Sequence, residues 1–224
     1  MYSSYIIIVP AIILSLYAQF KVQSTFNKYL KVPSVSGETG YSVARRLLDS
    51  NGLYTIPIEV SGGRLSDHYD PISRVVRLSE DVYYGNSLAS ISVAAHETGH
   101  AIQHATSYTP LMIRHRIFKV ANIGSNLSWI LVLAGIFFQA SNLILLGIIF
   151  FTCAVAFQVI TLPVEFNASS RALTMLEKNA ILSREEVKGS KKVLDAAALT
   201  YVAAALVSVL ELLRLILIFN RSND

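Results

Sequence analysis

Long stretches of this chain carry almost no charge, and that decides what it can fold into. Ile117 to Pro163 holds one charged residue, Lys119. Ala196 to Phe219 holds only Glu211 and Arg214, and Ser4 to Phe20 holds none. Such runs belong in a bilayer, where every backbone N–H and C=O must be satisfied within the segment, as a helix does. About 20 residues cross the hydrocarbon core. The 117–163 run therefore has the length for two crossings, with the polar dip Gln139-Ala140-Ser141-Asn142 between them. Composition agrees: 15% of the 224 residues are charged, against about 25% in an average soluble domain. The expected fold is a mainly α integral membrane protein with about four transmembrane helices.

The first run lacks a basic residue ahead of its apolar core and a small-x-small pattern at its end, so it reads as a retained anchor. Seventeen of the 19 lysines and arginines fall in segments 21–119 and 164–195. Four crossings place both segments on one side, and the positive-inside rule makes that side cytoplasmic. The termini and the 139–142 loop then face outward. The same distribution accounts for the net charge of +4 without a dense basic cluster, so the partner it implies is the lipid bilayer and no nucleic acid. The single cysteine, Cys153, lies inside an apolar run, which excludes a disulfide framework and a cysteine metal site.

The segment between the anchor and Arg116 is long enough for a small α+β domain. Residues 40–52 read as a helix with Val43, Leu47 and Leu48 on one face and Asn51-Gly52 as its stop. Residues 55–60 and 74–79 read as strands, and Asp67–Pro71 as a polar, turn-rich link. Ser79 precedes a helix start, and a second helix begins near Asn86 or Ser87.

That second helix carries His96-Glu97-Thr98-Gly99-His100, an H-E-x-x-H motif. Histidines at i and i+4 lie one above the other and can reach a single zinc ion. Glu97 sits beside that pair, placed to take a proton from a water that zinc polarises. Two imidazoles and a carboxylate in so apolar a helix would be costly without such a partner. His104 shares the face but lies about 12 Å from His96 along the axis, so it reads as a supporting or structural residue. The metzincin spacing, with glycine between the second and third histidines, is excluded by Gln103.

A third ligand must come from elsewhere. Glu165 is the leading candidate, because an acid at a membrane boundary is expected to be functional or paired, and two crossings return it to the side of His96. Its competing role is an acid favoured near a helix start beside Pro163. Glu177, Glu185, Glu186 and His68 are the other candidates. His68 or Tyr69 could stabilise an oxyanion, against simple turn chemistry for Asp67–Pro71. Arg171 could be an oxyanion donor, and strand 74–79 could offer an edge to an extended peptide.

The combination of HETGHAIQH (96–104), DHYDP (67–71) and LPVEFNAS (162–169) resembles the YugP-type putative neutral zinc metallopeptidases, bacterial membrane proteins, over most of the chain. A looser resemblance is to HtpX-like and CAAX-processing membrane proteases, which pair H-E-x-x-H with a later Glu-x-x-x-Asp. Glu165 matches that glutamate, but Ser169 stands at the aspartate. Ser169, Asn167, Asp67 or Asp70 would then have to orient a ligand histidine.

The resemblance implies a gluzincin-like membrane metallopeptidase holding one zinc ion through His96, His100 and Glu165, with Glu97 as the base and protein or peptide substrates. Its expected organisation is a transmembrane anchor (1–20), a cytoplasmic zincin-like domain (21–116), a transmembrane hairpin (117–163), a cytoplasmic helical segment with the third ligand (164–195) and a C-terminal transmembrane helix (196–219). The competing class is a non-catalytic membrane scaffold or chaperone-like protein with a structural zinc site.

Overall fold

The structure, a computed structural model, describes residues 6–222. Its elements are α1 (Val9–Leu30), α2 (Gly40–Ser50), β1 (Ile58–Ser61), β2 (His68–Asp70), β3 (Val75–Ser79), α3 (Glu80–Tyr83), α4 (Leu88–Ala105), α5 (Thr109–Phe137), α6 (Ser141–Lys178) and α7 (Arg184–Ser222). The chain divides into two compact units. One holds 20–108 and 164–198; the other holds the residues up to Gln19, Thr109–Pro163 and the residues from Leu199 onward.

In the first unit, local chemistry sets the element ends. Thr39 caps α2 by accepting from the Ser42 N–H at 3.2 Å, and Gly52 leaves it at φ +75°. Ser87 caps α4 in the same way, accepting from the Ser90 N–H at 3.1 Å. Both helices begin where the sequence places them. Leu47 and Leu48, neighbours on α2, feed different cores. Leu48 joins Phe26, Val76, Leu78, Val82 and Ala94 between helices and sheet. Leu47 joins Val43, Ile91, Ala95, Leu176 and Leu194. Helix α4 contributes to both cores, so it is covered along most of its length.

The sheet has order β1-β3-β2, with β1 parallel and β2 antiparallel to β3. Two expectations change here. The Asp67–Pro71 link contains a strand: His68, Tyr69 and Asp70 pair with Arg77, Val76 and Val75, because cross-strand partners outweigh weak local propensity. The turn chemistry expected there follows at Asp70, whose Oδ1 accepts from the Ile72 N–H at 2.9 Å. Ser73 Oγ and Arg77 also hold that carboxylate, keeping Asp70 well below the usual carboxylate range. The second change concerns 74–79. As β3 it is the central strand with both edges occupied, so it cannot accept a peptide by strand addition.

In the second unit, α5 stops at Phe137 and α6 starts at Ser141, with the polar dip as their loop. Small residues bring the two helices together: a Cβ on Gly147 would lie 2.6 Å from Val132 Cγ2 and 3.0 Å from the Ser128 carbonyl. Val132, Ile144, Ile148, Phe151, Val155 and Leu215 form the core. Among the described residues, three helices are long and apolar enough to cross a membrane: Thr109–Phe137, Ser141–Lys178 and Arg184–Asn220. The two charges of the last run face each other, Arg214 Nε donating to Glu211 Oε2 at 3.0 Å, and both are buried. Of the first run, Ser4 and Tyr5 lie outside the described residues, and α1 continues past Phe20 through Lys21 to Leu30.

Leu47 and Leu48 are fully buried, so each alanine variant should lose about 2–5 kcal/mol. Thermal unfolding in detergent should show both midpoints falling by several degrees, while Val35→Ala, at an exposed position, leaves the midpoint unchanged.

Candidate metal centre

Everything described for this centre lies in the unit formed by 20–108 and 164–198. Helix α4 presents His96 and His100 one turn apart on one face, as i,i+4 spacing requires. Their rings meet edge to face with centroids 4.7 Å apart. From α6, Glu165 brings its Oε2 to 3.3 Å from His96 Nε2 and 3.5 Å from His100 Nε2. The two Nε2 atoms are 3.2 Å apart. One ligand atom from each residue fits within 4.8 Å of the others, a set that could hold a metal ion.

Backbone proximity makes this convergence possible. A Cβ on Gly99 would lie 2.8 Å from the Ala168 carbonyl oxygen, so the second x of H-E-x-x-H sits where α6 passes. Val164, Ala168 and Ala172 recur at helical spacing on the buried side of α6. Glu165 and Ser169 stand beside that row, again four residues apart.

The surroundings separate the two histidines. His96 Nδ1 lies 3.2 Å from Ser169 Oγ. His100 Nδ1 lies 3.0 Å from Gln103 Oε1, and Gln103 Nε2 donates to the Val164 carbonyl at 2.8 Å and to Asn167 Oδ1 at 3.0 Å. Burial disfavours a charged His100 imidazole, but Glu165 more than offsets this, and its pKa lies above the ordinary value. Glu97 is buried next to His96 and stands outside the three-donor group. Asp67, which accepts from the Ser79 N–H at 2.7 Å, is pushed up by burial, with the Glu97 charge adding to the shift.

The other candidates are placed elsewhere. His104 Nδ1 lies 2.9 Å from the Tyr69 hydroxyl, a contact that ties β2 to α4, and burial lowers the His104 pKa. His68 is exposed and bonds the Ser66 carbonyl at 2.8 Å. Arg171 Nε donates to Asn167 Oδ1 at 2.8 Å and its guanidinium stands over Tyr108. Glu177 pairs with Arg184, Glu185 with Lys188, and Glu186 accepts from the Val35 and Ser183 N–H groups. Asp70 belongs to the β2–β3 turn. Gln103 was missed as a partner of His100; its i,i+3 spacing from that histidine was the available signal.

Comparison with known proteins gives two matches. The model of a family described as "Putative neutral zinc metallopeptidase" matches residues 4–220. A protein of Bacillus subtilis (strain 168), "Putative membrane protease YugP", is 56% identical over 216 residues, covering 96% of each chain. No solved structure matches.

Because a methyl at Gly99 must displace the α6 backbone, a centre of these three donors that takes up zinc should bind it at least about tenfold more weakly in Gly99→Ala, the scale set by disturbing the support of a ligand. Competition against a chromophoric chelator measures this. Undiminished affinity would mean that the α4–α6 approach does not set the donor geometry.

Proposed function

Starting from the family to which this chain belongs, the putative neutral zinc metallopeptidases, we propose that it is a gluzincin-like membrane endopeptidase that binds one zinc ion through His96, His100 and Glu165. The convergence of two imidazole nitrogens and one carboxylate oxygen within 4.8 Å carries the reading. Two nitrogen donors and one oxygen donor match a catalytic zinc set, which leaves a position open. When bound, zinc supplies Lewis acidity for a peptide carbonyl and lowers the pKa of water into the neutral range.

The remaining work falls to the chain. Glu97 follows His96 directly and is buried, so its carboxylate acts away from bulk water. It takes a proton from the attacking water as the new C–O bond forms. It then delivers that proton to the amide nitrogen as the C–N bond breaks, leaving a free amine and a carboxylic acid that keeps the water's other proton. His96 and His100 turn their Nε2 atoms toward Glu165 and are backed on the far side by Ser169 and Gln103. His104 and Tyr69 contribute by holding β2 on α4.

The substrates are membrane proteins or membrane-proximal peptides, because the described residues of this chain include three helices fit to cross a bilayer. The N-terminal run is a fourth crossing, and the protein is a multi-pass component of the cell membrane. The crossings by α5 and the first part of α6 return the chain to its starting side, so 21–108 and 164–195 share one face whether or not the N-terminal run spans. Their lysines and arginines support the cytoplasmic face.

Glu97→Gln should retain a full zinc complement and lose cleavage by about 10²–10⁴-fold, the usual contribution of a general base. Unchanged cleavage overturns the peptidase reading. Glu165→Ala should release zinc, measured by elemental analysis of purified protein. A reporter active only outside the cytoplasm should be active at Ser141 and silent at Ser61; the reverse pattern inverts the topology.

A further inference from the structure

The hydrogen-bond chain behind His100 has fixed polarity at both ends. At its outer end Arg171 Nε can only donate, so the Asn167 atom 2.8 Å away is the carbonyl oxygen Oδ1. At the other end the Val164 main-chain carbonyl can only accept. The Gln103 atom 2.8 Å from it is therefore the amide nitrogen. That nitrogen also reaches Asn167 Oδ1 at 3.0 Å, consistent with the orientation Arg171 demands.

Both amide hydrogens of Gln103 are thus committed, and its oxygen is what faces His100 Nδ1 at 3.0 Å. An amide oxygen cannot donate, so Nδ1 bears the hydrogen. In the neutral ring Nε2 is then left with its lone pair, aimed at His96 Nε2 and Glu165 Oε2. Gln103 is completely buried, so no solvent competes for these contacts. Flipping its amide would turn an oxygen toward two other oxygens. His96 has no such constraint, because Ser169 Oγ beside its Nδ1 can donate or accept.

We infer that Gln103, oriented by Asn167 and Arg171, is a positioning residue that fixes the His100 tautomer with the Nε2 lone pair toward the metal. This rests on the zinc-site reading. A neutral amide from the same helix thereby orients one ligand, while the carboxylate position four residues beyond Glu165 is Ser169. Arg171 acts here through Asn167, by way of its Nε.

The test uses the full chain in detergent, zinc competition against a chromophoric chelator, and the visible spectrum of the cobalt-substituted protein. Gln103→Met should raise the zinc dissociation constant about 10–100-fold, the usual effect of losing a ligand's outer partner, and change the cobalt bands. Asn167→Asp keeps the oxygen that Gln103 and Arg171 share and should match the parent. Asn167→Leu touches no ligand yet should weaken zinc binding and alter the cobalt spectrum. If Gln103 only joins two helices, Gln103→Met lowers the melting temperature but leaves zinc affinity and the cobalt spectrum of folded protein unchanged, which overturns the inference. Should Gln103→Met fail to fold, the Asn167 pair decides: Asn167→Leu binding zinc like the parent overturns it. A parent that takes up no zinc fails the underlying zinc reading, whereas a zinc-binding parent matched by these variants fails this inference alone.

Discussion

Two helices have to come very close for this centre to exist, and the residues that allow it carry no chemistry of their own. Imidazole and carboxylate side chains have fixed lengths, so the spacing of α4 and α6 decides whether three donor atoms meet at a point. Interaxial distance depends on the side chains at the contact. Here Gly99 on one helix faces the Ala168 backbone on the other, and Val164 and Ala172 continue the small, fully buried row. A larger side chain anywhere along it would part the helices and pull Glu165 away from the histidines. On the proposed reading, the H-E-x-x-H motif thus contains a spacing element as well as two ligands and a base.

Placing α4 between two hydrophobic cores sets a second condition, since every polar group on it must find a partner away from water. Ser90 Oγ donates to the Asp81 carbonyl at 2.8 Å, Thr98 Oγ1 to the Ala94 carbonyl at 2.9 Å, and Ser92 and Ser190 share a hydrogen bond at 2.6 Å. Gln103 is satisfied by three groups at once. The convergent nitrogens and oxygen differ in kind. With its Nδ1 hydrogen facing Gln103, a neutral His100 turns an Nε2 lone pair toward the Glu165 carboxylate, an arrangement that calls for a cation between them.

Much of this arrangement could be read from the chain. The H-E-x-x-H spacing, the helix starts near Gly40 and Ser87, and the break between α5 and α6 follow from local rules that tertiary contacts left intact. Glu165 could be reached by expecting the 117–163 run to cross twice and return the chain to the side of His96. Elements defined by partners distant in sequence were harder. His68-Tyr69-Asp70 has turn-like composition and becomes a strand through pairing with β3, and the order β1-β3-β2 puts 74–79 in the middle of the sheet. Gln103 was noticed as the residue that excludes a metzincin pattern. Its bond to the Val164 carbonyl, 61 positions on, could not be inferred from spacing.

Ser169 shows how charge balance constrains the donor set. On the proposed reading, a divalent ion meets one carboxylate from Glu165 and two neutral rings, and Glu97 stands beside it as a second buried acid. The two acids balance the ion. A third carboxylate at position 169, next to His96 Nδ1, would leave net negative charge in a buried site, where charges interact more strongly than in water. The response of Asp67 points the same way: burial and the Glu97 charge already push its carboxyl toward the neutral form. A hydroxyl at 169 and an amide at 103 can support the imidazoles without adding charge. The site can therefore depart from the Glu-x-x-x-Asp pattern while preserving the ligand geometry that the close approach of α4 and α6 creates.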